Sequence, residues 1–282
     1  MEGSKILITG AGGLLGEALF ETLPKENTIP LYREDCDITD KKRVKKILKN
    51  LDLDVVIHCA AYTDVDNAQK QKKEALLINK YGTKNIIDNL NKNCLFIYIS
   101  TAYVFNGKKT KPYTEKDKPF PINVYGLSKL EGEKITMSFK KHLIIRTNWL
   151  FGPYKKNFVD TIIELAKKKD VIKIDCSQIG SPTYTLDLAS AIKDLIEFYF
   201  KGKLKFGIYH ITNSGSCNRF DFAVKIIEIL NLKNKVEKII LNRPAKRPKN
   251  SLLSNKKFYN LTGYYLRNWQ DALKSYLKQW KA

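Results

Sequence analysis

The stretch KILITGAGGLLGEALFETL, residues 5–23, constrains the fold more than any other part of the chain. Ile6, Leu7 and Ile8 run through Thr9 into Gly10-Ala11-Gly12-Gly13-Leu14-Leu15-Gly16, and an amphipathic segment follows. Fixing a glycine costs more backbone entropy than fixing any other residue, so a cluster of them behind an apolar run needs a reason. A strand, a tight turn and a helix supply one. A helix N-terminus at the carboxyl end of a buried strand offers free N–H groups and a partial positive charge to an anion. Gly10, Gly13 and Gly16 fit a G-x-x-G-x-x-G spacing, whereas G-x-G-x-x-G fails at Leu15. Gly10 would allow the turn, Gly13 would admit a pyrophosphate to the backbone, and Gly16 would let the helix pack against the strand. Leu14 and Leu15, opening the helix, are expected beside the same dinucleotide.

The rest of the first half repeats the alternation. Expected strands cover 5–9, 28–32, 54–59, 94–100 and 142–147, and expected helices cover 14–23, 40–48, 74–90 and 124–139. Asp37 or Thr39 is available to cap the second helix. Strands that read as continuous apolar runs, separated by amphipathic helices, predict an α/β Rossmann-like, doubly wound parallel sheet with helices on both faces. Pro30 weakens the second strand. After about residue 150 the rhythm loosens, with helices expected over 158–168, 186–200 and 220–230 and a short strand over 208–212. This predicts an NAD(P)-binding domain over 1–150 and a smaller interleaved substrate-binding lobe over 151–282, with about 186–212 returning to the first.

The second strand ends Leu31-Tyr32-Arg33-Glu34-Asp35. A basic residue there suits the 2′-phosphate of NADP(H), while an acidic one suits the ribose hydroxyls of NAD(H). Arg33 favours NADP(H); Glu34 and Asp35 keep NAD(H) as the alternative. Asp37 and Ile38 follow, with the Asp37 carboxylate placed to accept from an adenine amino group. Further on, Tyr125 and Lys129 stand at i and i+4 and share a helix face. A phenol titrates near ~10, and an ammonium beside it is expected to favour the phenolate. Such a pair would give a proton to a carbonyl oxygen as hydride reaches the carbon. A hydroxyl of Ser100 or Thr101, at the end of the fourth strand, would bond the same oxygen.

Composition removes several other classes. The formal charge is +21, but lysines occur in every segment with no aromatic-interleaved arm, so the charge is expected on solvated helix faces and not at a nucleic acid. A positive field of this kind still attracts a small anionic substrate. Cys36, Cys59, Cys94, Cys176 and Cys217 are widely spaced and are expected as free thiols, and the three histidines are scattered, so no metal is expected. There is no signal-like start and no run of membrane-spanning length, which predicts a cytoplasmic protein with no membrane partner.

Together, Gly10-x-x-Gly13-x-x-Gly16, the strand-four hydroxyl and Tyr125-x-x-x-Lys129 resemble the extended short-chain dehydrogenase/reductase superfamily. More narrowly, AAYTDVDNA, ISTAYVFNG, PINVYGLSK, IIRTNWLFG, GSPTYTLDLA, NSGSCNRFDFA and RPKNSLL resemble, in order, stretches of the dTDP-4-dehydrorhamnose reductase family. The resemblance implies a catalytic triad of Thr101, Tyr125 and Lys129, with Lys129 also holding the nicotinamide ribose. It implies a cofactor loop at Ala60, Ala61 and Tyr62, and sugar-nucleotide positions at Thr63, Val65, Val104 and Trp149. It also implies nucleotide contacts from Asn157 and Arg247. The implied activity is NAD(P)H-dependent reduction of the C4 keto group of a nucleotide-activated 4-keto-6-deoxy sugar, for a polysaccharide precursor. The implied partner is a sugar-nucleotide substrate, and a homodimer is left open. The chain departs from the family at Ala102 and Ser254, where Asp is usual, at Gln69, where Glu is common, and at Ala18, where a carboxylate of a magnesium-bridged dimer would fall. A non-catalytic NADP-binding regulatory subunit and a related sugar-nucleotide epimerase are the competing readings. The unbroken Thr/Tyr/Lys set argues against the first, and the absence of an added acid or base beside Thr101 argues against the second.

Overall fold

A computed structural model of the chain describes residues 3–278. Five strands and the helices between them build the sheet side: β1 (Ile6–Thr9), α1 (Leu14–Thr22), β2 (Thr28–Leu31), α2 (Lys41–Leu48), β3 (Val55–His58), α3 (Val65–Lys70), α4 (Lys72–Leu76), α5 (Thr83–Ile87), β4 (Leu95–Thr101), α6 (Val124–Met137) and β5 (His142–Thr147). With β10 (Gly207–His210) they form one parallel six-stranded sheet in the order β10-β5-β4-β3-β1-β2. Side chains alternate between its two faces. Ile6, Ile8, Val55, Ile57, Leu95, Ile97, Leu143 and Ile145 enter one apolar cluster. Leu7, Val56, Phe96, Tyr98 and Ile144 enter another. Both faces are therefore covered, which is why these strands read as unbroken apolar runs. Pro30 is tolerated because β2 lies at the sheet edge.

The remaining chain crosses repeatedly between this sheet and a second core. β6 (Leu150–Phe151), α7 (Phe158–Ala166), β7 (Val171–Asp175), β8 (Ile179–Gly180) and β9 (Thr183–Tyr184) come first. α8 (Thr185–Phe200) and β10 then return, α8 giving Leu188, Ala191, Ile192 and Leu195 to the sheet-side cluster. β11 (Cys217–Asn218), α9 (Arg219–Ile229) and β12 (Lys235–Ile239) go back to the second core, which Phe151, Ile162, Ile174, Phe222, Ile226, Trp269 and Leu273 fill. α10 (Lys256–Thr262) brings Phe258 to the sheet side, and α11 (Trp269–Leu277) closes the second core. Among the described residues no helix is long and apolar enough to cross a membrane.

Two expectations need correction. The helix expected over 40–48 begins one residue later, because the Asp40 side chain accepts from the backbone N–H groups of Lys42 and Arg43 and caps it; Asp37 instead bonds Thr39. The single helix expected over 74–90 is α4 and α5 joined by a π-helical segment, Leu77–Gly82. Within it the buried Asn79 side chain accepts from Tyr62 N and donates to Ser128 Oγ, at 2.8 Å each. These tertiary bonds lie outside what helical periodicity can show.

α6 is held unusually close to its neighbours. A Cβ on Gly126 would lie 2.1 Å from the Tyr103 carbonyl oxygen, and one on Gly132 would lie 2.2 Å from the Tyr98 hydroxyl and 2.5 Å from the Asn79 carbonyl oxygen. Deeper in, Glu133 of α6 meets Arg146 of β5: Oε1 accepts from Nε at 2.8 Å and Oε2 from Nη2 at 2.6 Å, with both side chains buried. The Ser100 hydroxyl of β4 donates to the same Oε1 at 2.5 Å. Gly132→Ala is expected to destabilise the protein by about 1–3 kcal/mol through overpacking, although alanine is the better helix former by about 1 kcal/mol. Urea unfolding monitored by circular dichroism would show the lower midpoint.

Candidate functional site

The sheet order reverses between β1 and β3, and a cleft of about 980 Å³ opens beyond the carboxyl ends of the strands there. Of the expected site residues, Gly10, Gly13, Leu14, Leu15, Gly16, Arg33, Asp37, Ile38, Ala60, Ala61, Thr63, Val65, Thr101, Tyr125, Lys129, Trp149 and Asn157 line it. Tyr62, Val104 and Arg247 do not.

The glycine turn has the shape an anion requires. Gly10 takes φ +66°, and a Cβ on it would lie 2.6 Å from Ala60 N; one on Gly16 would lie 2.3 Å from the Gly10 carbonyl oxygen. The turn therefore folds tightly between the β3 loop and α1. Gly13 is the N-cap of α1 and brings no side-chain cap, so the opening N–H groups of the helix remain for a ligand. At the other end of this half of the cleft the Arg33 side chain is 78% exposed, with only a 3.9 Å approach to Asp37. Asp35 is turned back to Tyr32 N. Asp37 Oδ1 accepts from both Thr39 N and Thr39 Oγ1, which holds the carboxyl below its usual range and leaves Oδ2 as its open oxygen. These residues fit a dinucleotide with its diphosphate at α1.

Thr101, Tyr125 and Lys129 meet deeper in the cleft. Thr101 ends β4, and its hydroxyl accepts from Tyr103 N at 3.2 Å. Asn123 caps α6 by accepting from Gly126 N at 2.8 Å, which sets Tyr125 in the first turn. Lys129 is buried, with Nζ 4.1 Å from the centroid of the Tyr98 ring. The sequence predicts an acidified phenol, and the structure reverses this: burial pushes Tyr125 up to about 12, with the Thr101 hydroxyl bond as the opposing influence. It is Lys129 that moves toward neutrality, because burial draws its ammonium down to about 7 against the opposing pull of Glu133. Burial also holds His58 and His210 at about 3, so both are neutral.

The remaining positions divide. Trp149 lies in the cleft wall at φ 44°, a strained value for a bulky residue, and its buried Nε1 has no hydrogen-bond partner among the described residues. Asn157 lines the cleft, but its side chain is taken up in capping α7: it accepts from Val159 N and donates to Gly152 O and Asp160 Oδ2. Tyr62 is pinned through its backbone N–H to Asn79 and through its hydroxyl to Gln71. Val104 is wholly buried in a small apolar cluster. Arg247 pairs in bidentate fashion with Asp66 at 3.0 and 2.8 Å. Several cleft residues escape the sequence reading, Lys155 and Arg219 among them. Lys155 reaches across to the carbonyl of Gly12 at 3.0 Å, and Arg219 stacks on Trp149. Arg219 lies in NSGSCNRFDFA, a stretch that carries the family resemblance, but its role depends on contacts distant in sequence.

The family model described as "RmlD substrate binding domain" matches residues 4–282. The chain belongs to the dTDP-4-dehydrorhamnose reductase family. It is 36% identical to the dTDP-4-dehydrorhamnose reductase of Aggregatibacter actinomycetemcomitans, over 96% of this chain and 98% of that protein. It is likewise 36% identical to the spore coat polysaccharide biosynthesis protein SpsK of Bacillus subtilis, over 98% of each. Among solved structures, a dTDP-4-dehydrorhamnose reductase from Clostridium acetobutylicum superimposes with a TM-score of 0.92 at 38% identity, covering 99% of this chain and 100% of that one. The Bacillus anthracis enzyme, solved with NADP, gives 0.92 at 37% identity, covering 98% and 99%.

Against this family the departures acquire physical settings. Ala102 is fully buried with Val104, Phe105, Tyr113 and Leu253 and does not line the cleft, so a carboxylate there would sit among apolar groups. Ala18 is fully buried against the sheet. Gln69 accepts from Val124 N at 3.1 Å and so helps start the helix that carries Tyr125 and Lys129.

For a reductase of this kind, a pH dependence follows. Lys129 is cationic below about 7 and neutral above it. Tyr125 stays protonated across the neutral range. Reduction measured as kcat/KM for the dinucleotide, which reports the groups of the free enzyme, is expected to fall as pH rises through about 7. A profile flat through that range would contradict a required ammonium.

Proposed function

We propose that this chain reduces the C4 keto group of a nucleotide-activated 4-keto-6-deoxy sugar, taking hydride from NADPH. The observation that carries the reading is the convergence of Thr101, Tyr125 and Lys129 in the same cleft as the uncapped α1 turn. The names of the relatives supply the substrate class. When bound, the reduced nicotinamide supplies hydride to C4. Tyr125, protonated at neutral pH, gives its phenolic proton to O4, and Thr101 donates a hydrogen bond to the same oxygen. The phenolate left behind is stabilised by the Lys129 ammonium and the Thr101 hydroxyl until solvent returns the proton. A raised Tyr125 pKa suits this direction, since the group must begin as an acid.

NADPH is the preferred dinucleotide on this reading, because Arg33 is exposed and its approach to Asp37, at 3.9 Å, is a long one. Its planar fork suits a 2′-phosphate. The Bacillus anthracis relative is solved with NADP.

The direct test mixes purified protein, NADPH and freshly generated dTDP-4-keto-6-deoxy sugar and follows the loss of absorbance from the reduced nicotinamide. Tyr125→Phe is expected to lower kcat by about 10²–10⁴-fold and to leave NADPH affinity unchanged. No turnover by the unaltered protein would overturn the proposal. Separately, Arg33→Ala is expected to weaken NADPH binding by about 10–100-fold, the range for a charge-assisted hydrogen bond, and to leave NADH affinity unchanged. Fluorescence titration of each dinucleotide distinguishes the two.

A further inference from the structure

Arg219 is the first residue of α9, and its side chain lines the cleft. The guanidinium carbon lies 3.8 Å from the centroid of the Trp149 ring and 4.7 Å from that of Phe158. These aromatic faces hold the planar cation in place but do not neutralise it. Among the described residues it makes no hydrogen bond and no ion pair. The other arginines of this quarter of the fold are compensated: Arg247 is bidentate to Asp66, Arg243 lies 3.8 Å from Asp66 and 3.7 Å from Asp175, and Arg267 lies 2.8 Å from Asp187.

Among the described residues no carboxylate offsets the charge of Arg219 at close range. It sits at a helix N-terminus, where the macrodipole is positive and a cation is disfavoured. Burial above all, with a smaller repulsion from Arg243 and Arg247, draws it down to about 10. Of the two neighbours able to ionise in its favour, Tyr103 and Cys217, burial holds the Cys217 thiol up at about 12 and therefore neutral. Two further polar atoms of the same wall, Trp149 Nε1 and Thr147 Oγ1, are buried without partners among the described residues. A wall with an uncompensated cation and unused polar groups is matched by an oxygen-rich anion.

We propose that Arg219 grips the diphosphate of the nucleotide sugar, stacked on Trp149 so that its fork meets two phosphate oxygens; this rests on the reductase reading above. It takes the place that family resemblance gives to Arg247, which Asp66 already occupies. The dinucleotide also carries a diphosphate, but the first turn of α1 is built for that one, and Arg219 belongs instead to the wall formed by Trp149 and Phe158.

The test titrates the full chain by calorimetry with dTDP, with thymidine and with NADPH, for the unaltered protein, Arg219→Met and Arg219→Lys. Arg219→Met is expected to weaken dTDP binding by about 10–100-fold and to leave thymidine and NADPH affinities unchanged. Arg219→Lys should recover part of the loss, since it restores charge without the fork. In turnover the effect should fall on KM for the sugar nucleotide, with kcat nearly constant. Equal dTDP affinity in Arg219→Met and the unaltered protein overturns the assignment of Arg219 and leaves the reductase reading standing. A loss of thymidine affinity as large as that of dTDP, or a loss of NADPH affinity instead, likewise overturns it. Failure of the unaltered protein to bind dTDP sinks the reductase reading itself.

Discussion

The geometry of the cleft depends on the buried pair between Glu133 and Arg146. It joins α6 to β5, and through Ser100 it reaches β4, so three elements share one carboxylate. Taking two charges out of water is expensive, and such pairs persist only when every lone pair and proton finds a partner. Removing one member of such a pair costs about 3–5 kcal/mol, because the other is left buried and alone. Here the pair fixes the face that α6 turns to the sheet. Tyr125, Lys129 and Glu133 stand four residues apart, one above the other on that face. The ion pair at the bottom therefore sets the positions of the reacting groups above it, and its negative member also opposes the neutralisation of Lys129.

Glycine completes this arrangement. At Gly126 and Gly132 the helix approaches so closely that a Cβ would overlap neighbouring oxygens. The close approach puts the first turn of α6 against the turn after β4, which brings the Thr101 hydroxyl within bonding reach of the Tyr125 phenol. Burial then acts on both partners in opposite senses, keeping the phenol protonated and loosening the proton on the lysine. The site is thus set for proton donation, and stabilisation of the phenolate is deferred until the proton has moved.

Much of this was legible in the chain itself, for identifiable reasons. Parallel strands buried on both faces leave apolar runs, and the runs at 6–9, 55–58, 95–101 and 142–147 could be read directly. The spacing of Tyr125 and Lys129 is a property of any helix, so their shared face needed no coordinates. What escaped depends on contacts distant in sequence. Asn79 unwinds a helix because Tyr62 and Ser128 claim its side chain. Arg247 leaves the cleft because Asp66, in a short helix that periodicity did not reveal, binds it. Arg219 enters because two aromatic rings from other elements flank it. The phenol of Tyr125 titrates high because its surroundings are apolar, which the i, i+4 rule does not address.

The repeated crossing between the two cores has a consequence for how the protein is made. The sheet-side core takes Tyr209 and Ile211 from around β10 and then Phe258 and Leu266 from near the C-terminus. An emerging polypeptide can pair β1 to β5 early, but the outer edge of β5 stays bare until residue 207 has left the ribosome. Synthesis proceeds at about 5–20 residues per second, so the unpaired edge persists for several seconds, long compared with hairpin or helix formation. The nascent chain therefore spends a defined part of its life with an open strand edge and apolar surface on show, a window in which a chaperone would have something to hold.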